Sequence, residues 1–298
     1  MMHFLVRLTD LWIGRRAQQS VEALAAVREL APAVVVTGAS RGIGLALARR
    51  FARDGSKRAL VMIARDGAAI NAAAKVIGDE FGVRTLPLAL DITLTDAPSR
   101  LDEALLGAGL YMDVLVNNAG VGLSGGFAEH DPLEIERLIA LNISAATRLM
   151  HHALAPMLQR ATGGILNVGS LGGFVPGPNQ AAYYASKAYL GSLTEAVAHE
   201  VRGRGVRISL VAPGPVNTTF HRDMRAENAL YRTIVPGISA DAVARGAYRG
   251  YMLGITVIVP GVLAPLAGLA VSILPHAITL PIVGALLSST GKRPRDPV

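Results

Sequence analysis

Three side chains, Ser170, Tyr183 and Lys187, have types and spacing that could carry out chemistry: Ser170 lies 13 residues before Tyr183, and Lys187 lies four residues after it. On a helix that begins near Tyr183, the i, i+4 relation places the phenol and the ammonium on one face, with their Cβ atoms about 6 Å apart. A neighbouring ammonium favours the phenolate, so we expect the tyrosine pKa to fall from its ordinary value of about 10 towards neutral pH. The phenol could then serve as a general acid or base. On its own, however, Tyr-x-x-x-Lys is also typical of an exposed pair on a helix.

A glycine-rich segment follows the first apolar run and reads Thr37-Gly38-Ala39-Ser40-Arg41-Gly42-Ile43-Gly44. Glycines let the backbone turn tightly and approach a pyrophosphate, and the N-terminus of the following helix offers free N–H groups. An ordinary turn between a strand and a helix is the alternative, but the position directly after the first strand favours a dinucleotide. The residues that we expect to bind the cofactor here are Gly38, Ser40, Arg41, Gly42, Ile43 and Gly44.

The residues after the next two apolar runs bear on which dinucleotide binds. Arg65 and Asp66 stand where an acidic residue would bind the ribose of NAD. Arg65, together with Arg41, could neutralise the 2′-phosphate of NADP through charge-assisted hydrogen bonds. We therefore predict NADP(H), with NAD as the alternative if Asp66, and not Arg65, points at the ribose. Asp91 and Ile92 end the third run, where the adenine edge would pass; for Asp91, an N-cap of the next helix is an equal alternative.

Seven short apolar runs alternate with stretches of helical character. Unalternated, β-branched runs separated by helices are typical of parallel strands that are covered on both faces. The sequence therefore predicts an α/β fold with a single Rossmann-like, doubly wound parallel sheet and flanking helices. The predicted strands are Ala33–Thr37, Ala59–Ala64, Thr85–Leu90, Val114–Val116, Gly164–Val168, Val206–Val211 and Thr256–Val259.

The composition excludes several classes of site. The 298 residues include no cysteine, which excludes disulfides, thiolate metal sites and cysteine nucleophiles. The formal net charge is +7, but the basic residues form no stripe interleaved with aromatic side chains, so we predict no nucleic-acid partner. His151, His152 and His199 lack the spacing of a metal motif such as H-E-x-x-H, so we also predict no metal site. A bound cofactor is then the simplest source of chemistry.

The beginning of the chain has the character of an extension, which we place at residues 1–31. Val21–Leu30 has helical spacing, and Pro32 is expected to end that helix. Arg7 and Asp10 interrupt the first apolar stretch, so we expect no secretory signal.

The last part of the chain is strongly apolar, because no Asp, Glu, Lys or Arg occurs from Gly250 to Gly291. We therefore divide the rest of the chain into a catalytic domain at residues 32–260 and an apolar C-terminal extension at residues 261–298. The extension contains two apolar runs, Val262–Leu274 and Ala277–Leu287, and each is shorter than the roughly 20 residues of a membrane span. We favour a lid over the substrate or an association with a membrane surface, with a transmembrane hairpin or burial in an oligomer as alternatives. We expect a cytoplasmic protein that is at most peripheral to a membrane.

Three further segments accompany these features: Asn117-Asn118-Ala119-Gly120 after the fourth run, Asn142 before Ser170, and Pro213-Gly214-Pro215-Val216-Asn217-Thr218 after the sixth run. With the glycine-rich segment and Tyr183-Tyr184-Ala185-Ser186-Lys187, they resemble the short-chain dehydrogenase/reductase family of the Tyr-Ala-Ser-Lys type. The resemblance covers roughly Ala33 to Val259. Tyr184 is interpreted as a spectator, because only Tyr183 lies four residues before Lys187.

The resemblance implies a role for each matching residue. Ser170 would hydrogen-bond the substrate oxygen, and Tyr183 would transfer the proton. Lys187 would bind the nicotinamide ribose and lower the tyrosine pKa, while Asn142 would hold a water in the proton relay. The cofactor would also be lined by Asn118, Ala119, Gly120, Pro213, Gly214, Val216 and Thr218, with Thr218 at the nicotinamide carboxamide.

These features predict an NADP(H)-dependent oxidoreductase that interconverts a carbonyl and an alcohol on a small, lipophilic molecule. The apolar C-terminus and the segment Thr219–Pro236, which lies where the family has its substrate-closing loop, motivate the lipophilic substrate. A membrane-associated nucleotide-binding or scaffold protein without turnover is the alternative. The resemblance also implies a homodimer or homotetramer. Helices around Ile143–Leu158 and Ala188–Val201 could form its contacts, with burial inside the monomer as the alternative.

Overall fold

The computed structural model describes residues 19–261 and 275–288 of the chain. The strands are β1 Ala31–Thr37, β2 Ala59–Ala64, β3 Thr85–Ala89, β4 Leu110–Asn117, β5 Gly164–Val168, β6 Arg207–Val211 and β7 Val257–Ile258. They form one sheet of order β3-β2-β1-β4-β5-β6-β7, and every neighbouring pair is parallel. The order reverses between β1 and β4, and the crevice at the carboxyl ends of such strands is where open parallel sheets bind ligands.

Helices cover both faces of the sheet. They are α1 Val21–Ala26, α2 Gly42–Ala52, α3 Gly67–Phe81, α4 Ala97–Gly107, α5 Pro132–Ile139, α6 Ala146–Arg160, α7 Ala181–Glu200, α8 Phe220–Asp223, α9 Tyr231–Ile234, α10 Ala240–Met252 and α11 His276–Leu287. A π-helical turn at Ala140–Ala145 joins α5 to α6, and Leu171–Phe174 forms a 3₁₀ turn after β5.

Neighbouring residues of the strands supply two separate apolar cores. In β1, Val34 and Val36 pack into one core together with Leu47 of α2. Val35 packs into the other core, with Leu149 of α6. Because side chains of a strand alternate between its faces, a run without alternation is explained by burial on both sides. The sheet is therefore a fixed base for the loops that leave its carboxyl ends.

The predicted fold class is confirmed, and a strand is found at each predicted position. Strand β4 starts at Leu110, four residues before the predicted start at Val114. The prediction began too late because Asp113 interrupts the apolar run in the sequence. Asp113 is buried, and its carboxylate accepts a hydrogen bond from Nε of Arg58 at 2.6 Å. A charge can lie inside a strand when it is paired in this way, and an apolar run in the sequence does not contain this pairing.

The two ends of the chain differ from expectation in detail. Helix α1 ends earlier than predicted, and Pro32 lies inside β1 instead of ending a helix. The apolar run Ala277–Leu287 forms α11, whereas the run Val262–Leu274 lies outside the described residues. No helix within residues 19–261 and 275–288 is long and apolar enough to cross a membrane. The division of the chain at residues 31 and 260 stays a prediction.

Candidate active site

A cavity of about 740 Å³ lies at the carboxyl ends of β1, β4, β5 and β6. It is lined by residues that follow these strands directly, such as Gly38, Asn118, Gly169 and Pro213. Every residue predicted from the sequence to belong to the site lines this cavity, except Gly44 and Asn142, which lie behind its wall. The fold thus brings together segments from about residue 37 to residue 218.

The glycine-rich turn is held by hydrogen bonds to the residue that follows β4. The side-chain amide of Asn118 donates to the carbonyl oxygens of Thr37 at 2.9 Å and of Gly38 at 3.1 Å. Gly38 has a φ of +65°, which side-chain-bearing residues rarely adopt. A Cβ on Gly44 would collide with the Gly38 carbonyl oxygen and with the Asn118 amide. Glycine at these positions lets the backbone bend sharply and brings the N-terminus of α2 to the cavity.

Thr37 adds further hydrogen bonds between the turn and the end of β4, although it was not among the predicted site residues. Its hydroxyl oxygen accepts hydrogen bonds from the backbone N–H groups of Asn118 and Ala119, both at 3.0 Å. The hydroxyl also donates towards the Val116 carbonyl at 3.4 Å. Its position at the last residue of a strand, directly before the glycines, is the signal in the sequence that could have identified it.

Arg65 and Asp66 both line the cavity where β2 ends. The carboxylate of Asp66 caps α3 by accepting from the Ala69 N–H at 2.9 Å. Asp91 accepts from the hydroxyl of Thr93 at 2.7 Å and from its N–H at 2.9 Å. These bonds, and to a smaller extent the charge of Arg65, hold the pKa of Asp91 below its ordinary value.

The helix-cap alternative for Asp91 is wrong, because α4 begins at Ala97 and Asp96 occupies its N-cap position. The hydroxyl and N–H that Asp91 binds belong to the turn before that helix. Asp91 itself lines the cavity. Its carboxylate is therefore held on the cavity wall, where it can meet a ligand.

Arg41 contacts the segment that follows β6. Its guanidinium lies 2.7 Å from the Asp223 carboxylate of α8 and donates to the Thr219 hydroxyl at 2.9 Å. The expected approach of Arg41 to a 2′-phosphate is therefore in competition with an ion pair. Both partners are well exposed, at 65% and 38% of the side-chain surface, so the pair is held only weakly.

Tyr183 and Ser170 meet in the cavity. Tyr183 lies in the first turn of α7, and it lines the cavity together with Ser170, whose hydroxyl favours the ionised form of the phenol. The same hydroxyl accepts from the N–H of Gly172 at 3.1 Å, which fixes the serine side chain at the start of the 3₁₀ turn. Both oxygens can therefore face one substrate oxygen.

The expected lowering of the tyrosine pKa is not what the structure shows. Burial raises the pKa of Tyr183 to about 12, against a smaller opposing effect of the Ser170 hydroxyl. Lys187 lies one turn further along α7, and its ammonium is 5.9 Å from the centre of the Tyr183 ring. This ammonium donates to the Val168 carbonyl at 2.9 Å, and burial lowers its own pKa to about 8. Desolvation is the largest cause of both shifts.

Asn142 supports the site from the π-helical turn, behind the cavity wall. Its side-chain amide donates to the Val121 carbonyl at 2.8 Å and to the Ser186 hydroxyl at 3.0 Å, while its oxygen accepts from the Val121 N–H at 2.9 Å. Both amide protons are thus engaged in joining the β4 loop to α7. The water-holding role implied for Asn142 stays a prediction. Because both amide protons are already donated, such a water would have to donate a hydrogen bond to an oxygen of Asn142.

The outer part of the cavity is built from residues that were not predicted. They come from the segment after β6, from α7 and from α11, and include Tyr184, Phe220, His221, Met224, Tyr231, Val235, Val283, Leu286 and Leu287. Tyr184, interpreted as a spectator, therefore lines the cavity, although it does not lie four residues before Lys187. The apolar character of the C-terminus was visible in the sequence, but its position over the cavity was not. The phenol of Tyr231 and Nδ1 of His221 are 2.8 Å apart and add a polar spot to this wall.

Comparison with known proteins agrees with this geometry. The family model described as short chain dehydrogenase matches residues 32–229. A 2-(S)-hydroxypropyl-CoM dehydrogenase from Xanthobacter autotrophicus is 35% identical over 190 residues, which cover 62% of this chain and 72% of the relative.

Solved structures show the same similarity over more of the chain. A short-chain dehydrogenase from Sphingobium yanoikuyae, in complex with NADPH, has a TM-score of 0.71 and 30% identity, and the match covers 90% of this chain and 98% of the other. A bulky-bulky ketone specific alcohol dehydrogenase from Comamonas testosteroni has a TM-score of 0.67 and 28% identity, covering 84% and 96%. Further similar structures contain NADP or NAD.

Proposed function

Because the chain belongs to the short-chain dehydrogenase/reductase family of oxidoreductases, which act on alcohol and ketone groups, we propose that it is an NADP(H)-dependent enzyme for a lipophilic carbonyl or alcohol. The observation that carries the proposal is the position of Ser170, Tyr183 and Lys187 in one cavity that the glycine-rich turn also lines. A protein that only bound a nucleotide would have no use for a buried phenol in the same cavity as a serine hydroxyl.

The residues of the cavity fit a nicotinamide dinucleotide. Gly38 and Gly44 let the turn before α2 pack closely against Asn118, and the first turn of α2 carries no side-chain cap that would compete for its N–H groups. A phosphate can be held by these N–H groups and by the positive end of the helix dipole. When bound, the cofactor exchanges a hydride with the substrate carbon. Lys187, next to Tyr183, would bind the nicotinamide ribose, and Thr218 would meet the carboxamide.

Proton transfer is the task of Tyr183. A ketone gains negative charge on its oxygen as its carbon receives a hydride, and hydrogen-bond donors fixed beforehand stabilise that charge. Ser170 would donate to this oxygen while Tyr183 passes its proton to it. With a pKa near 12, the phenol is protonated at neutral pH, which suits the direction of carbonyl reduction. In alcohol oxidation the phenolate would take the proton, and the ammonium of Lys187 would stabilise it.

The preference for NADP(H) rests on Arg65. Its positive charge lies on the cavity wall beside Asp66, one carboxylate oxygen of which accepts the capping hydrogen bond of α3. Arg41 could contribute to phosphate binding only by giving up its contacts with Asp223 and Thr219. We therefore assign the main 2′-phosphate contact to Arg65.

The lipophilic substrate is supported by the outer wall of the cavity. Val283, Leu286 and Leu287 of α11 line it, together with Phe220 and Val235. Each apolar group that a ligand buries against such a wall gains roughly 0.8 kcal/mol per CH₂. In this proposal α11 acts as the lid that was expected from the apolar C-terminus. Assembly into a homodimer or homotetramer through α6 and α7 stays a prediction.

The proposal is tested by following cofactor absorbance with NADPH and with NADH over a matched series of ketones. The series runs from short, water-soluble ketones to ketones with long or bulky apolar groups. We expect faster turnover with NADPH than with NADH and a kcat/KM that increases with apolar size. No turnover of any ketone, with oxidation of the corresponding alcohols also absent, would contradict the proposed activity.

A further inference from the structure

Helix α11 presents an apolar face to the outside of the protein, although its other face already lines the cavity. Ile278 and Ile282, one turn apart, are 50% and 54% exposed, and the small apolar residues Ala277, Pro281 and Ala285 beside them are exposed as well. A helix that is apolar on all sides is normally buried in protein or in contact with lipid. Apart from His276 at its first residue, the exposed residues of α11 are therefore all apolar, unlike those of a surface helix in water.

Helix α9 adds further exposed apolar side chains at the margin of the same cavity. Ile234 is 59% exposed, and Val235, which lines the cavity, is 40% exposed. The N–H of Leu230 donates to the Ser288 carbonyl at 3.0 Å, which joins the start of α9 to the end of α11. Ile234, Val235, Ile278 and Ile282 are called the apolar rim below.

We propose that the apolar rim docks on an anionic lipid surface. The charge pattern selects this partner: no Asp, Glu, Lys or Arg occurs between residues 251 and 291, and Lys292, Arg293 and Arg295 follow immediately. Cations next to an apolar segment bind anionic headgroups while the apolar side chains enter the boundary with the acyl chains.

The dimensions of α11 fit an interfacial position. It has 12 residues with Pro281 inside, so its length of about 18 Å is well below the roughly 30 Å of a bilayer core. Lying in the interface, α11 would separate the lipid from the cavity by the thickness of one helix. An apolar substrate could then pass from the bilayer into the cavity without crossing water. This last consequence rests on the proposed function, whereas the docking itself does not.

The test is co-sedimentation of the full-length protein with vesicles of phosphatidylcholine alone and of phosphatidylcholine with phosphatidylglycerol. We expect binding to the anionic vesicles, and a loss of at least about tenfold in the double variant Ile278→Glu, Ile282→Glu, because two apolar contacts are replaced by charges. Leu106→Glu is the matched control, because Leu106 is 62% exposed on α4, away from the cavity, and this variant should bind like the wild type. Equal unfolding curves would show that the double variant is folded.

Two results would overturn the proposal. The first is anionic-vesicle binding that is absent in the wild type or is unchanged in the double variant. The second is light scattering that shows a wild-type dimer and a monomeric double variant, because the rim would then be covered by a second copy. Turnover of a water-soluble ketone without vesicles, measured in parallel, distinguishes failure of the docking from failure of the enzymatic assignment.

Discussion

The ammonium of Lys187 lies 5.9 Å from the centre of the Tyr183 ring and donates a hydrogen bond to the Val168 carbonyl at 2.9 Å. Both residues are buried on the inner face of α7. A buried ammonium with one hydrogen bond to protein is costly to the fold, which explains why burial lowers its pKa to about 8. The buried ammonium of Lys187 therefore destabilises the fold, although the proposed reaction needs it.

Replacing Lys187 with Met should stabilise the protein at pH 7 and abolish turnover. The folded-state pKa of Lys187, about 8, lies below the ordinary 10.5, so the unfolded state binds more protons between these values. Wild-type stability from this group therefore rises with pH between about 8 and 10.5. We expect the variant to be more stable by about 1–3 kcal/mol at pH 7. Urea unfolding at pH 7 and pH 9.5 should show this difference shrinking at the higher pH, and a less stable variant at pH 7 would contradict the interpretation.

Removing the charge of Arg65 should weaken NADPH more than NADH. A charge-assisted hydrogen bond contributes about 1.5–3 kcal/mol, so Arg65→Ala should raise the KM for NADPH by roughly 10- to 100-fold and change the KM for NADH little. Arg41→Ala should have a smaller effect, because Arg41 is already paired with Asp223. Asp66→Asn, which keeps an oxygen for the helix cap, is the control. It should leave the ratio of the KM for NADPH to the KM for NADH unchanged. A wild type that prefers NADH would show that Arg65 does not bind a 2′-phosphate.

Adding a methyl group at Gly44 should destabilise the glycine-rich turn. The new Cβ would meet the Gly38 carbonyl oxygen and the Asn118 amide, so we expect a loss of about 2–4 kcal/mol of unfolding free energy and of NADPH binding. At Gly107, near the end of α4, no atom lies within 4 Å of an added Cβ. Gly107→Ala should therefore be neutral or stabilising by about 0.5 kcal/mol. Chemical unfolding and fluorescence titration with NADPH measure both quantities, and equal effects of the two substitutions would argue against the close approach at Gly44.

The inner face of α11 should determine the preference for apolar substrates. Leu286 lines the cavity, whereas Ala285 is exposed on the outer face. In assays without lipid, Leu286→Gln should lower kcat/KM for long-chain ketones by roughly tenfold, because a buried apolar contact is replaced by a polar group. The value for a short ketone should stay within a factor of about two. Ala285→Gln should change neither, and a uniform loss across all ketone lengths would mean that α11 does not contact the substrate.

The sequence was most informative where one residue type is needed for local reasons. Apolar runs marked the strands, whereas the spacing of Ser170, Tyr183 and Lys187 pointed to a site only together with the glycine-rich segment and the other segments of the family resemblance. The sequence was least informative where distant segments meet. The ion pair of Asp113 with Arg58 inside the β4 region, the contact of Arg41 with Asp223, and the position of α11 all depend on tertiary packing. Even the direction of the Tyr183 pKa shift depends on burial, which the i, i+4 spacing does not contain.

The central assignment is the role of Tyr183, and the most direct measurement is NADPH consumption by Tyr183→Phe with a ketone that the wild type reduces. General acid catalysis contributes about 10²–10⁴ in rate, so we predict at least a 100-fold loss of kcat with NADPH binding retained. Tyr184→Phe, which removes the neighbouring phenol from the same wall, should keep kcat within a few-fold of the wild type. Unchanged turnover in Tyr183→Phe would contradict the account.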